Sequence, residues 1–520
     1  MLRRVLAVLT AAALIPGGAC YQDDATAPQN RSPIEPLRFA VQPSNTPADS
    51  VITPAVQVAI VDAAGKTDTT ATNAVTLAIG SNPGGGNLFG TTTVKAARGI
   101  ASFADLSIDR PSRGYTLVPR SGTLRGATSA PFDVHGPAFA VGAFVTVSAG
   151  GAHTCGVTAA GAAYCWGAND SGQLGDGTTT QRTSPVPVAG GLSFRAVSAG
   201  SSHTCGVTIG GVAYCWGLNA SGQLGDGTTT PRTSPVPVTG GLSFVVASAG
   251  GSHTCGVTPF SADSGISFTY CWGLNASGQL GDGTTTDRSK PQAAVPGATG
   301  TVLSTGLNHT CLLNLDVGGD FCWGSNTNGQ LGDGTTIGST TPVAIGSPGP
   351  TLNALSAGGS HTCGEAGSFV PGSSYVSFAA YCWGANANGQ LGDGTTIQRT
   401  SPVPVSGLSF AVSAVSGGGQ HTCGLATAGA GIPYNLVTAG TAYCWGFNNN
   451  GQLGDGTTTQ RTSPVLVAGG LSFIAVSAGG SHTCGVTVDA AYCWGSNSSG
   501  QLGTGTTTGS SVPVKVAGQP

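Results

Sequence analysis

The hydrophobic pattern divides the chain into four stretches. Val5–Ile15 is an apolar run interrupted only by Thr10, behind Arg3 and Arg4 and followed by Gly17, Gly18 and Ala19. A membrane-spanning helix needs roughly 20 apolar residues, so this shorter run predicts a secretory leader and an exported chain. Residues 21–36 are polar, proline-containing and aperiodic, the pattern of a flexible tether. Over 37–135 apolar and polar residues alternate, as in Val56-Gln57-Val58-Ala59-Ile60-Val61 and Val75-Thr76-Leu77-Ala78-Ile79, with turn-formers at 62–65 and 82–86. Alternation with period two marks strands, and about seven such runs in about a hundred residues predict a small β-sandwich.

From about residue 138 to Pro520 the pattern itself repeats. The unit reads V-S-A-G-x-x-H-T-C-G-V-T, a variable segment, A-Y-C-W-G-x-N-x-x-G-Q-L-G-D-G-T-T-T-x-R-T-S-P-V-P-V. Seven histidines mark it (His153, His203, His253, His309, His361, His421, His482), as do seven tryptophans (Trp166, Trp216, Trp272, Trp323, Trp383, Trp445, Trp494). Seven units of roughly 50–60 residues, each with about four short strands, predict an all-β, seven-bladed propeller. Two routes to ring closure are open: 511–516 completes the last blade, or Phe139-Ala140-Val141 supplies a strand from the N-terminal side.

Composition agrees with short strands and tight turns. Gly is 86 of 520 residues, there is one Met, and Glu occurs only at Glu35 and Glu365, which argues against long helices. Charged residues are 8 % of the chain, with eight Lys or Arg against thirteen Asp or Glu over 139–520, a balance of −5. With no basic stripe to displace counterions from phosphates, nucleic acid is not an expected partner.

Fifteen cysteines comprise Cys20 and two per repeat. Within the repeats Cys155 falls with Cys165, Cys205 with Cys215, Cys255 with Cys271, Cys311 with Cys322, Cys363 with Cys382, Cys423 with Cys444 and Cys484 with Cys493. Both members keep their sequence context while the segment between them varies in length, the behaviour of a hairpin clamped at its base. In an exported chain this predicts seven disulfides within blades. A zinc reading, with His153 and Cys155 on one strand face and Cys165 opposite, lacks a fourth ligand. No metal and no cofactor are therefore expected. Each histidine is instead expected to hydrogen-bond a neighbouring turn, and each tryptophan to pack between blades. Asp176, Asp226, Asp282, Asp333, Asp393 and Asp455 recur in G-D-G and read as turn residues, because the closing Glu of a calcium loop is missing.

The polar residues occur once per repeat, whereas an active site is a single asymmetric cluster, so a non-enzyme is expected. Asymmetry appears in three long inter-cysteine segments, 258–269, 365–380 and 425–441. Phe260, Phe268, Phe369, Tyr375, Phe378 and Tyr434 on these segments are candidate binding-loop residues expected on one face of the ring.

The W-G-x-N-x-x-G-Q-L-G segment resembles the regulator of chromosome condensation repeat family, which implies a seven-bladed propeller. The chain departs from the pattern at Thr504, where the other copies have Asp, and in the paired cysteines, which cytosolic and nuclear members generally lack. The small residues before Cys20 resemble a bacterial lipoprotein cleavage site, with Gly17 where that pattern usually has Leu. That resemblance implies a lipid on Cys20 and a place in the cell envelope or on the cell surface, plain secretion being the alternative. The stretches PAVQVAIVDAAG, GIASFADLSID and GYTL resemble bacterial immunoglobulin-like domains, with Tyr115 in a tyrosine-corner role. Together these imply a monomeric, surface-anchored, non-enzymatic scaffold that binds a protein or an extracellular polymer and meets the membrane only through its lipid. Family resemblance also offers guanine-nucleotide exchange on a small GTPase, which export, disulfides and an acidic propeller oppose, and inhibition of a cell-wall or β-lactam-processing enzyme. An enzyme acting on glycans or peptides would require a role for Asp263, Glu365 or Asp316.

Overall fold

The structure, a computed structural model, describes residues 37–519 except 48–50, 84–85, 111, 123, 136–142, 261–266, 295–299, 301, 314–318, 347–351, 370–375, 408–410 and 428–438. Cys20, the 21–36 tether and Phe139-Ala140-Val141 lie outside the described residues. Every regular element among the described residues is a β-strand.

Leu37–His135 holds twelve short strands rather than the seven expected, several of them only two residues long. Three sheets, of three, four and three strands, and a separate two-stranded pair account for them. Their inward positions build one core that includes Leu37, Val58, Val75, Leu77, Phe103, Leu117 and Phe132. The buried Tyr115 sends its hydroxyl to the carbonyl of Arg110 at 2.9 Å.

The remainder forms seven consecutive antiparallel sheets, each taking its strands in simple sequence order. Blade 1 runs Phe144–Ala149, His153–Thr158, Ala163–Gly167, Arg182–Pro187. Blades 2 to 7 begin at Phe194, Val246, Val302, Leu352, Ala411 and Ala475. In blade 6 the connector adds a fifth strand, Ser472–Phe473, which pairs with Gly440 and Thr441. The first strand of each blade is innermost: its last residue and the following turn, Ala149 to Gly151 and their equivalents, surround a central opening of about 100 Å³.

Among the described residues, closure uses neither an exchanged strand nor a covalent link. Blade 7 is completed by its own Ser510–Lys515, as one of the two predicted routes required. Around the opening, a ring of backbone bonds runs from blade to blade, from Gly151 N to Gly200 O at 3.0 Å through to Gly480 N to Gly150 O at 2.9 Å. The blade 7–blade 1 seam is an ordinary one: Cys484, Val486, Ala491, Cys493 and Leu502 pack on Phe144 and Trp166. At the next seam Cys155, Val157, Ala163, Cys165 and Leu174 pack on Phe194 and Trp216 in the same way.

Two glycines of the repeat follow from this packing. A Cβ on Gly150 would lie 2.5 Å from the carbonyl oxygen of Gly200, and one on Gly175 would lie 2.7 Å from the Trp216 indole nitrogen. Neither approach leaves room for a side chain, so the A-G and Q-L-G glycines record how closely neighbouring blades meet.

Candidate functional site

The repeated polar residues are consumed in holding blades together. His153 Nε2 lies 2.9 Å from Thr204 Oγ1 of the next blade. Thr204 donates its only hydroxyl proton to the carbonyl of Gln173, 2.9 Å away. That assigns the imidazole proton to Nε2, because the threonine oxygen is left only as an acceptor. Trp216 Nε1 donates to the same Gln173 carbonyl at 3.0 Å, so both lone pairs of one oxygen are used. The closing seam repeats the set: His482 to Thr154 at 2.8 Å, Thr154 to Gln501 O at 2.9 Å, Trp166 Nε1 to Gln501 O at 3.0 Å. The histidines thus bond across the seam to the next blade's strand, where the sequence suggested a neighbouring turn. The partner is some 50 residues away and no local pattern points to it.

All seven rings are fully buried. Burial holds them neutral, lowering the imidazoles to about 3 for His153, His253, His309 and His421 and to about 4 for His203, His361 and His482. The tryptophans pack between blades as expected, each with no exposed surface.

The predicted cysteine pairs are joined in all seven blades. Cys155 is bonded to Cys165, Cys205 to Cys215, Cys255 to Cys271 and Cys311 to Cys322. The later blades carry Cys363 bonded to Cys382, Cys423 to Cys444 and Cys484 to Cys493. Cys155 stands directly opposite Cys165 in the antiparallel ladder with Cα atoms 4.1 Å apart. The same facing register holds for Cys215, Cys271, Cys322, Cys382, Cys444 and Cys493 and their partners, so each bridge clamps the second strand to the third. A cysteine bound in a disulfide is no thiolate ligand, which removes the histidine–cysteine–cysteine metal set.

The repeated Asn and Asp organise the connection from third to outer strand. Buried Asn169 donates to the carbonyls of Thr178 and Thr180 at 3.1 and 3.0 Å and accepts from Leu174 N at 3.0 Å. Asp176 accepts from Thr178 and forms an ion pair with Arg182 at 2.7 Å. Burial alone would raise this carboxyl, but the Thr178 and Arg182 hydrogen bonds outweigh it and hold the group below its usual range. The pair recurs in blades 2, 3, 5 and 6. Blade 4 has Ser339 in the Arg position, and blade 7 has Ser510 there, so the Thr504 departure coincides with a missing arginine.

The long inter-cysteine segments all leave the same end of their blades, between the second and third strands. The expected loops are partly strand: in blade 5 the hairpin stays paired out to Phe369 opposite Val376, and in blade 6 it continues to Ala426 opposite Thr441. Alternation in Ser368-Phe369 and Val376-Ser377-Phe378 was the available signal. In blade 3, Phe260 and Phe268 are 64 % and 43 % exposed, so neither ring folds back into its own hairpin. Phe369 and Phe378 lie on the paired strands, on backbone positions only, while Tyr375 and Tyr434 lie outside the described residues.

Glu365 occupies the position held by Val157, Val207, Val257, Leu313, Leu425 and Val486 in the other blades, an inter-blade core position. It is buried there, and burial pushes its carboxyl up to about 7. Asp320, where blade 1 has Ala163, is also raised by burial and accepts from Leu352 N at 3.4 Å. They face different seams, since these positions look toward blades 6 and 5 respectively. Asp263 and Asp316 lie outside the described residues. Among the described residues no group of three or more His, Cys, Asp or Glu gathers as a metal site, and no helix is long and apolar enough to cross a membrane.

A ring of four-stranded blades with this clasp defines a propeller of the W-G-x-N-x-x-G-Q-L-G type. A sequence profile described as the regulator of chromosome condensation (RCC1) repeat matches residues 160–207, 210–257, 269–313, 318–364, 379–425, 439–486 and 489–520, and the chain belongs to that family. Each of the first six matches runs from the third strand of one blade to the second strand of the next, and the last covers the third and outer strands of blade 7, so the profile's unit and the structural blade are half a unit out of phase. The Arabidopsis thaliana ultraviolet-B receptor UVR8 is 31 % identical over 221 residues, 41 % of this chain and 46 % of that protein. The human E3 ubiquitin-protein ligase HERC2 is also 31 % identical over 221 residues, which are 4 % of its length. The match thus spans less than half of either relative. Among solved structures, yeast RCC1 (Prp20) bound to Kap60 superposes with a TM-score of 0.56 at 16 % identity, covering 72 % of this chain and 85 % of that one. Human WBSCR16 superposes with a TM-score of 0.55 at 20 % identity, covering 71 % and 92 %.

Proposed function

We propose that this chain is an exported, envelope-anchored, non-enzymatic scaffold of bacterial type that binds a protein or an extracellular polymer through the hairpin ends of its propeller. The observation that carries this reading is the pair of exposed rings, Phe260 and Phe268, at the end of a blade whose other repeated side chains are engaged inside the ring. Exposed aromatics on a rigid frame bind at little entropic cost. Seven disulfides suit an oxidising compartment. The leader and Cys20 supply the anchor, and residues 37–135 an immunoglobulin-like spacer, a reading favoured by the Tyr115–Arg110 hydrogen bond. The scaffold acts as a monomer and without nucleic acid.

The test compares the full chain with a variant whose three long segments are cut to the length of the Cys155–Cys165 hairpin. Both are presented to cell-envelope extract, and captured material is identified. A partner held by the full chain and lost from the shortened one supports the reading. A partner held equally by both, or none, overturns it.

A further inference from the structure

The face opposite the hairpin ends carries the turns after the innermost strands and the long third-to-outer connections. It is nearly sevenfold in sequence except in one sector. The residue before the glycine of N-x-x-G is Ser171, Ser221, Ser277 and Ser499 in blades 1, 2, 3 and 7, but Asn328, Asn388 and Asn450 in blades 4 to 6. The residue before the histidine is Ala or Ser in five blades but Asn308 in blade 4 and Gln420 in blade 6. Blade 4 also has Leu307 where the other blades have Gly or Ser, and blade 6 has Phe447 directly after W-G.

A cavity of about 480 Å³ opens in this sector, with Leu307, Asn328, Asn388, Gln390, Gln420 and Phe447 in its lining. Its volume lies in the range of small-molecule pockets, roughly 300–1,000 Å³. No charged or titratable side chain lines it. Gln390, only 3 % exposed, uses Oε1 to accept from Asn388 N at 2.9 Å, while its Nε2 makes no hydrogen bond within the described residues. In blades 4 and 7 the matching nitrogens of Gln330 and Gln501 donate to Ser325 and Ser496 at 3.3 Å. The matching position in blade 5 is Ala385, itself part of the cavity lining, so Gln390 Nε2 lacks that serine partner at the cavity wall, beside Asn388 and Gln420, whose amides meet at 3.4 Å. Blade 1 also has an alanine there, Ala168, but Ser171 and Ala152 stand where this sector has amides.

We propose that this cavity is a binding site for a neutral carbohydrate, a short stretch of uncharged glycan. Asn388 Nδ2 donates to Gln420 Oε1 at 3.4 Å, and the amide groups left over there, with Gln390 Nε2, set donors and acceptors close together, the complement of a hydroxyl that does both. A pyranose carries hydroxyls around its rim and apolar C–H faces, so it meets the amides and the Leu307 and Phe447 side chains together. An anionic ligand would find no counter-charge here, and a wholly apolar one would desolvate the amides without replacing their hydrogen bonds. The site is independent of the hairpin ends, which leave the other end of the blades.

The test titrates the full chain calorimetrically with chitotetraose and with maltotetraose. At least one is expected to bind, the double variant carrying Asn388→Ala and Gln420→Ala to weaken that binding about tenfold, a change of about 1.4 kcal/mol, and the hairpin-shortened variant to bind unchanged. Both substituted side chains are at least partly exposed, and circular dichroism and unfolding midpoints check that the double variant is folded. No binding of either sugar at millimolar concentration, or equal binding by the double variant, overturns the proposal. Binding of an uncharged Asn-Gly-Ser peptide in place of the sugars overturns it in favour of a peptide site.

Discussion

The middle of each blade and its hairpin end are made from the same two strands, yet they follow opposite rules. On the central side of the disulfide, histidine, threonine and glutamine carbonyl meet at 2.8–2.9 Å in every seam for which both bonds are described, including the closing one. Beyond the disulfide, the segments between the cysteines have separations from 9 to 21 residues and differ in sequence in every blade. The difference has a plain cause. A residue on the central side has partners in two blades, and an insertion there would shift both seams; past the disulfide the seam contacts end about two residues on, at Val157 and Ala163 and their equivalents, and the residues beyond answer mainly to their own hairpin. The border between what the ring requires and what it permits therefore lies just beyond the cysteine pair.

The largest test of this contrast is acid. In the unfolded chain each histidine titrates near 6.5, while in the ring burial keeps it neutral down to about 3 or 4. The unfolded state therefore binds more protons below pH 6.5, and stability present above that value is lost as pH falls toward 4. All seven rings act in the same direction within that window, so their losses accumulate and outweigh that of any single substitution. Urea midpoints measured from pH 7 to pH 4 should collapse; a flat profile would show that the rings are reached by water.

Next in size is the closing seam. Thr154→Val and Thr254→Val each strand an imidazole N–H and remove one of two bonds to a glutamine carbonyl, at a cost of about 2 kcal/mol. Equal losses in denaturant titration are expected, because the two seams share one geometry. A much smaller loss at Thr154 would mean that the ring closes more loosely than it propagates.

The smallest effect is expected in the outer connections. Arg182→Ser copies blades 4 and 7, which hold the same turn without an arginine. The Arg182 side chain is one-third exposed, so losing its pair with Asp176 should cost less than about 1 kcal/mol and shift the melting temperature little. A loss as large as that of Thr154→Val would place the outer connection on the same footing as the inner clasp.

Much of the architecture was readable from the repeat. Period-two runs, turn glycines and invariant cysteine contexts are local features, and so the strands, the seven blades and every disulfide partner followed from residues within about twenty positions of one another. That the three long segments leave one common end of the blades is legible in their shared place in the repeat, whereas their continued pairing in blades 5 and 6 is not. The cavity of blades 4 to 6 went unread because its departures, Asn for Ser or Phe for Ala, are single substitutions that gain meaning only when blades come side by side. Likewise Glu365 looked like part of a long loop until its equivalence to Val157 put it in a seam.

Within one repeat, chain neighbours decide which residues pair, because strand alternation and short hairpins leave few alternatives. Between repeats they decide nothing, since seven near-identical units present the same histidine, threonine, glutamine and tryptophan to any other. Which threonine each histidine meets and that blade 7 completes itself came from the ring: packing fixed the angle between blades until seven closed on themselves, with the same contacts at the last seam as at the others.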